Sequence, residues 1–283
     1  MSKQIKLNET AEQETSPAAV RPSVSLTLAY KGGCGKTLFA RTAICRYIAA
    51  GVSPRIVQID KTPALPALYG EGVVALSLPG MEAQRADPLA TLMALEPFEG
   101  AVDATLADSR PLVTDVGSGQ FTGAVVEMIG KGRVDSHVAK RANVFVFIPL
   151  VAEPGSMELA VDLAKLVEQA LPSARIVPVM NHRDGRFHFF QGSAADGVMK
   201  KRVQPMLERH APLELPAIPA GALAPFDAHN LTFTSLIEAE PIDLARRLGV
   251  SRLIAATLQG DVAQWLAEVW TALDAILPIA KEA

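Results

Sequence analysis

The sequence predicts an α/β fold in which helices cover both faces of a mostly parallel, twisted sheet. Strand-like apolar runs alternate with helix-like patterns throughout the chain. Several of the apolar runs end in Asp or Asn, which is typical of strands that bring polar side chains to the carboxyl edge of a parallel sheet. A glycine-rich turn joins the first run to a helical pattern that begins near residue 36.

The elements are predicted from these patterns in chain order. Strands are expected at residues 24–30, 55–59, 110–115, 143–149 and 174–180, with a further short strand at 213–218. Long helices are expected at residues 36–50, 155–171, 195–209 and 261–277. Between residues 61 and 100 many Pro, Gly and Leu residues weaken the periodicity, so short helices and loops are expected there.

Length and composition indicate one folded domain. The first 22 residues are polar and contain no apolar stretch of signal or membrane length, so we expect residues 1–22 to form a flexible tail. Residues 23–283 carry one glycine-rich strand-to-helix turn near their start, which favours a single domain.

Charge and cysteine content limit the possible partners and compartment. The net charge of −3 gives no overall signal for nucleic acid or membrane, so any DNA contact must come from local basic patches. Two cysteines, Cys34 and Cys45, provide no disulfide framework, which favours a cytoplasmic location. Cys34 is either a structural thiol or a redox-sensitive one. The five histidines do not have metal-ligand spacing.

Residues 31–37 read Lys-Gly-Gly-Cys-Gly-Lys-Thr and form the turn between the first strand and the first helix. Its glycines let the backbone wrap a phosphate group with the N–H groups pointing inward, and the N-terminus of the helix adds partial positive charge. Lys36 can neutralise the β- and γ-phosphates of a nucleotide, and the Thr37 hydroxyl can hold Mg²⁺. The alternative is a turn that binds no ligand, in which two lysines would repel each other.

The motif differs from the usual phosphate-binding pattern, which would place Gly where Tyr30 stands. With a second lysine, Lys31, near its start, the loop resembles the deviant Walker A loop of the ParA/MinD superfamily, P-loop NTPases of the SIMIBI type. The resemblance implies that Lys31 reaches the nucleotide of a partner subunit, so that Lys31 and Lys36 both act in catalysis within an ATP-bound homodimer. It also implies an ATP and Mg²⁺ site that includes Gly32, Gly33, Cys34, Gly35, Lys36, Thr37 and Leu38.

The second predicted strand ends at Asp60, in the sequence Asp60-Lys61-Thr62-Pro63. In the superfamily the corresponding strand ends near Asp-x-Asp-Pro, which implies that Asp60 serves in the Mg²⁺ shell or orients water. The alternative is an acidic helix cap. Thr62 stands where several relatives carry the Asp that helps hydrolysis. A hydroxyl can hold a water molecule but cannot act as a base, so we expect slow turnover.

An apolar run that ends in Asp115 and continues into Gly117-Ser118-Gly119 resembles a Walker B strand followed by a switch loop. Its carboxylate would lie beside the phosphate loop and hold the Mg²⁺-bound water. Since many strands end in Asp, the assignment depends on the glycine-rich loop about 80 residues earlier. The predicted metal ligands are therefore Thr37, Asp60 and Asp115.

The resemblance also implies a base site. An Asn that ends the corresponding family strand hydrogen-bonds the adenine, and Asn181 ends the strand predicted at 174–180. A turn-forming Asn is the alternative. The loop containing Pro219 resembles the one that lines the family's base pocket.

Three segments have open alternatives. Phe187, Phe189 and Phe190 form either an exposed partner site or a packed hairpin. The basic triplet Lys200-Lys201-Arg202 and a second basic cluster within 131–141 either contact DNA or belong to solvated helix faces. The last helix has an apolar face but acidic rather than basic polar positions, so we expect it to pack on the body or a partner and not to insert into a membrane.

The predicted function is that of a slow, dimeric Mg-ATPase whose nucleotide state controls binding to DNA or a partner protein. The motifs are most similar to ParA-type partition ATPases and TraL-like proteins of plasmid transfer, which implies partition, positioning or conjugative transfer. The alternative is an ATP-binding scaffold with little hydrolysis. An iron-protein-like function would need cysteines that bridge the dimer, and neither Cys34 nor Cys45 is placed for that.

Overall fold

Seven parallel strands form one sheet in the part of the chain that the structure, a computed structural model, describes: residues 21–219 and 221–279. The strand order is β3-β2-β4-β1-β5-β6-β7. The strands are β1 (Ser23–Thr27), β2 (Arg55–Ile59), β3 (Val73–Leu76), β4 (Leu112–Val116), β5 (Asn143–Val151), β6 (Arg175–Asn181) and β7 (Leu213–Leu215).

Helices connect these strands on both faces. In the first half of the chain they are α1 (Lys36–Ala49), α2 (Leu65–Tyr69), α3 (Met81–Ala86), α4 (Pro88–Asp108), α5 (Gln120–Lys131) and α6 (Val134–Val138). The second half contains α7 (Pro154–Ala170), α8 (Ala194–Val198), a π-helical turn (Met199–Val203), α9 (Gln204–Arg209), α10 (Ala224–Ala228), α11 (Phe233–Glu238), α12 (Pro241–Leu248) and α13 (Arg252–Asp274).

Side chains that alternate along the strands belong to two hydrophobic cores, one on each face of the sheet. Val24 and Leu26 of β1 belong to the core that α4, α5 and α7 cover. Val113 of β4 belongs to the opposite core, which α1 and α10–α13 cover. Because both faces are buried, the strands are nearly continuous apolar runs, and a polar side chain within them needs a hydrogen-bond partner.

The sheet order places the glycine-rich turn at a topological switch point. From β1 the chain crosses to β2 on one side of the sheet, and it later crosses from β4 to β5 on the other. The crevice at the carboxyl ends of such strands is where open α/β sheets bind ligands. The turn between β1 and α1 lies there, next to the end of β4.

The predicted fold class is confirmed: the sheet is parallel and helices cover both faces. Within residues 61–100 the prediction of only short helices and loops was wrong, because that stretch holds β3 and most of the 21-residue α4. The last helix begins at Arg252 rather than near residue 261, and its apolar face packs in the core with α1. The tail predicted at 1–22 lies, except for residues 21 and 22, outside the described residues.

Candidate functional site

The loop between β1 and α1 is held in a conformation that requires glycine at its end. Gly35 caps α1 with φ of 93°, a left-handed value that side chains with a Cβ rarely adopt. A Cβ there would also lie 2.5 Å from the Asn181 Nδ2 atom. Cys34 is buried, with its Sγ 3.4 Å from the Ser156 Oγ. The thiol therefore packs beneath the loop, as a structural residue would.

Lys36 is the first residue of α1, and its side chain is only 9 % exposed. Burial lowers its pKa, and the negative charge of Asp115 is the strongest influence in the opposite direction. The ammonium group has no hydrogen-bond partner in residues 21–219 and 221–279. A buried ammonium without a fixed partner is suited to an anion, because an anion would offset the cost of desolvation.

Asp115 lies in β4 beside the loop and is 2 % exposed. Its Oδ2 accepts hydrogen bonds from the Thr37 hydroxyl (2.7 Å) and the Gln58 side-chain amide (2.8 Å). Its Oδ1 is buried and has no hydrogen-bond partner in the part of the chain that the structure describes. Burial raises the pKa of this carboxyl, and the hydrogen bonds from Thr37 and Gln58 oppose that shift.

Asp60 follows β2 directly and lies against the switch-like segment after β4. A Cβ added to Gly117 would come within 2.9 Å of the Asp60 Oδ2, so only glycine allows this close approach. The Asp60 Oδ1 accepts a hydrogen bond from the Thr62 backbone N–H (3.1 Å). The carboxylate thus closes the turn that follows it, but it is not the helix cap of the alternative interpretation, because the N-cap of α2 is Ala64.

Oxygen ligands suited to Mg²⁺ are available in this crevice. Within the described ranges no group of three or more His, Cys, Asp or Glu side chains could hold a metal ion. The Thr37 hydroxyl and the unpartnered Asp115 Oδ1 nevertheless supply hard oxygen donors, and Asp60 lies close enough to influence Asp115 electrostatically. Since Mg²⁺ usually binds one or two carboxylates, water and phosphate oxygens, these residues fit the ion.

Asn181 contacts the loop itself. Its Nδ2 donates to the Cys34 carbonyl oxygen (2.9 Å), and its Oδ1 accepts from the Arg183 backbone N–H (3.0 Å). The side chain is buried and braces the loop, a role that the sequence analysis did not anticipate. Arg183 was missed as well: its guanidinium donates to the Gly33 carbonyl oxygen and pairs with Asp184.

Lys31 forms an ion pair with Glu153, the residue that precedes α7. Both side chains are partly exposed, at 35 % and 48 %. The lysine expected to reach a partner subunit is therefore held by a carboxylate of its own chain. An exposed pair of this kind is weak and can be exchanged for another anion.

Two other expected binding residues are less closely involved. Leu38 is half-buried and packs against the core on the α1 face. Pro219 is exposed, and its carbonyl oxygen accepts from the Ala222 N–H (3.0 Å). A cavity of about 630 Å³ beside β7 is lined by His182 and Pro216, among others, but Pro219 is not among the described residues that line it.

The expected partner surfaces are only partly exposed. Phe187 and Phe189 pack against the core, whereas Phe190 is 92 % exposed, and the segment forms no hairpin. In the basic triplet, Lys200 pairs with Asp196 and Arg202 with Asp162, which leaves Lys201 without an ion pair in the described ranges. Among the helices of the described residues, none is long and apolar enough to cross a membrane.

Comparisons with known proteins give distant structural likenesses. No protein-family model matches the chain, and neither does any curated protein. A solved ATP complex of McdA from Cyanothece is similar at 14 % identity and a TM-score of 0.39, covering 93 % of this chain and 99 % of that one. The cell division ATPase MinD of Pyrococcus furiosus is similar at 13 % identity and a TM-score of 0.44, covering 87 % and 99 %. The MinD cell division protein of Aquifex aeolicus gives 13 % identity and 0.42, covering 92 % and 100 %.

Proposed function

We propose that this chain is a Mg-ATP-binding ATPase of the ParA/MinD type with slow turnover. The observation that supports it best is the arrangement of Lys36, Thr37 and Asp115 at the loop after β1. Among the described residues, the buried Lys36 ammonium has no hydrogen-bond partner and lies near the buried Asp115 carboxylate, which has one hydrogen-bonded oxygen and one without a partner. The sequence signature of the loop supports the same assignment.

In this proposal the chain's own groups bind and orient the nucleotide. The backbone N–H groups of the loop and the N-terminus of α1 surround the phosphates, and Lys36 neutralises their charge. Thr37 and Asp115 hold Mg²⁺, and Asp60 orients water near it. Mg²⁺ held by Thr37 and Asp115 would supply positive charge to offset the negative charge that develops on the phosphates. Asn181 and Arg183 keep the loop in place through their bonds to its carbonyl oxygens.

We further propose that two subunits pair around ATP, with Lys31 moving from Glu153 to the nucleotide of the partner. ATP state would then control binding to DNA or to a protein partner in partition, positioning or conjugative transfer. Asn181 is also proposed to contact the adenine, since its amide has donor and acceptor capacity beyond its two bonds. The two free cysteines are consistent with the proposed cytoplasmic location.

A second candidate function is an ATP-binding scaffold with little hydrolysis. Thr62 favours it, because its hydroxyl stands where relatives carry a carboxylate and its backbone N–H already bonds Asp60. A scaffold would bind Mg-ATP as tightly as an ATPase. Steady-state ATP turnover with and without DNA separates the two candidates.

Nucleotide binding tests both candidates together. Lys36→Ala removes the positive charge at the phosphates, so we expect ATP affinity to fall at least tenfold, or about 1.4 kcal/mol. Fluorescent-nucleotide titration measures it. Lys165→Ala, at an exposed position of α7, is the matched control and should bind as the wild type does. Equal ATP affinity of the Lys36 variant and the wild type would contradict both candidates.

A further inference from the structure

Gln58 is a polar residue in the middle of the buried strand β2, where its neighbours Val57 and Ile59 are fully apolar. Its side chain is 2 % exposed. A buried amide costs free energy unless both its donor and its acceptor are satisfied. An apolar residue would fit the strand pattern better, so the presence of Gln here calls for a specific partner.

Both ends of this amide are used. The Nε2 group donates to the Asp115 Oδ2 (2.8 Å), and the Oε1 atom accepts from the Leu65 backbone N–H (2.7 Å). In the parallel pairing of β2 with β4, Gln58 lies opposite Asp115. The two side chains therefore share the face of the sheet that α1 covers, and the register places them side by side.

The first contact fixes the orientation of the Asp115 carboxylate. With Thr37 and Gln58 both donating to Oδ2, the carboxylate cannot rotate without losing two hydrogen bonds. Oδ1 is then the oxygen that no described residue hydrogen-bonds. Groups that hydrogen-bond a metal-binding carboxylate set its orientation, and their loss typically weakens metal binding about 10–100-fold.

The second contact ties the segment after β2 to the same carboxylate. Leu65 is the first residue of α2 and is fully buried, so its N–H anchors residues 61–64 at their far end. Asp60 anchors the near end through the Thr62 N–H. The side-chain amide of Gln58 therefore links Asp115 in β4 to the turn that contains Thr62.

We propose that Gln58 is a positioning residue for the nucleotide site, which orients Asp115 for Mg²⁺ and couples that carboxylate to the 61–64 turn. The metal role rests on the proposed function. Gln58 does not touch nucleotide or metal. It acts through Asp115 at one end and through the start of α2 at the other.

Gln58→Leu removes both hydrogen bonds at similar side-chain volume, and Gln58→Met does so with an unbranched chain. Thr114→Val is the matched control, because it removes from the position before Asp115 a buried hydroxyl that has no hydrogen-bond partner among the described residues. For both Gln58 variants we expect unchanged fluorescent-ATP affinity in EDTA. The Mg²⁺ concentration that half-saturates the metal-dependent increase in ATP binding should rise about tenfold or more.

Limited trypsin digestion without nucleotide tests the second contact, the hydrogen bond between the Gln58 Oε1 atom and the Leu65 N–H. Lys61 is exposed in the tethered turn, so cleavage after it should be several-fold faster in the Gln58 variants than in the wild type or in Thr114→Val. A wild type that binds Mg-ATP, together with folded Gln58 variants that match it in Mg²⁺ dependence and cleavage, overturns the inference alone. A wild type that binds no nucleotide overturns the proposed function and the metal role of Gln58 with it.

Discussion

At the scale of single residues, Thr62 sets the expected rate of the proposed reaction. Its backbone N–H bonds the Asp60 Oδ1 at 3.1 Å, so the residue lies in the turn beside the site, but its hydroxyl cannot accept a proton as a carboxylate does. We expect wild-type turnover well below the roughly 1–10³ s⁻¹ typical of enzymes. Thr62→Asp should raise it, measured as phosphate release at saturating Mg-ATP.

Thr62→Asn is the matched control for that experiment, because it has the size of Asp without its negative charge and should leave the rate low. A fast wild-type rate that Thr62→Asp does not change would show that another group positions the water. It would also remove the observation that favours a scaffold.

The residues of the site differed in how far the sequence predicted them. Lys36, Thr37 and Asp115 follow from local motifs, and the structure brings them together. Gln58 could not be assigned from the sequence, because its role depends on the register of β2 against β4. Its only signal was a polar residue inside an apolar run. The contact between Asn181 and the loop likewise joins residues 147 positions apart.

At the scale of elements, the strands with motifs and the helices α1 and α7 were predicted, whereas β3 and α4 were not. The apolar runs of β1, β2, β4, β5 and β6 are long enough to stand out. The four-residue β3 is not, and two of its residues are exposed. In α4 an internal Pro97 and outward-facing apolar residues such as Leu89 and Met93 hide the helical period. The Asp87 cap, which accepts from two N–H groups, was its one clear local signal.

Arg41 joins α1, the helix that follows the glycine-rich turn, to the C-terminal helices. Its guanidinium donates to the Asp227 carboxylate (2.7 Å) and the Leu231 carbonyl oxygen (3.3 Å), and it lies 4.7 Å from the centre of the Phe233 ring. Because α10 and α11 are short, this buried charge fixes their position on α1.

Arg41→Met should therefore lower the free energy of unfolding by about 1–3 kcal/mol, measured by urea denaturation. The loss stays below that of a fully buried pair, because the Asp227 side chain is 47 % exposed and remains solvated. Arg246→Met, at an exposed position of α12, is the control and should change stability by less than about 0.5 kcal/mol. Equal effects of the two substitutions would contradict a structural role for Arg41.

At the scale of the whole molecule, the proposed function predicts that Lys31 couples ATP binding to dimerisation. Its pair with Glu153 is exposed and worth less than about 1 kcal/mol, so the lysine can leave it at little cost. Lys31→Ala should keep nucleotide binding by the monomer and its stability but lose ATP-dependent dimerisation. Sedimentation with a non-hydrolysable ATP analogue measures this.

Lys165→Ala is again the control for Lys31→Ala and should dimerise as the wild type does. If Lys31→Ala dimerises and turns over normally, Lys31 has no role beyond its pair with Glu153.

DNA binding, if the ATP-bound dimer has it, must come from a limited surface, since the chain carries a net charge of −3. Two of the three positive charges in the triplet are paired with Asp162 and Asp196, which leaves one net positive charge. Lys201 is exposed and has no ion pair among the described residues, so it should contribute most. Binding should be non-specific and should weaken steeply with salt, because phosphate contacts release counterions.

Lys201→Glu should lower DNA affinity and reduce the slope of log K against log salt by about 0.9, the value for one phosphate contact on duplex DNA. Reversal of the whole triplet should lower the affinity further, because Lys200 and Arg202 would no longer neutralise Asp196 and Asp162 and each neutral pair would become two negative charges. Filter binding at several salt concentrations measures the DNA affinity and the salt slope of both variants. The ATP affinity of each should be unchanged, and Lys165→Glu is the charge-matched control. An ATP-bound dimer that retains no DNA at low salt would reject DNA as the partner. The exposed Phe190 would then be the first position at which to test for a protein partner.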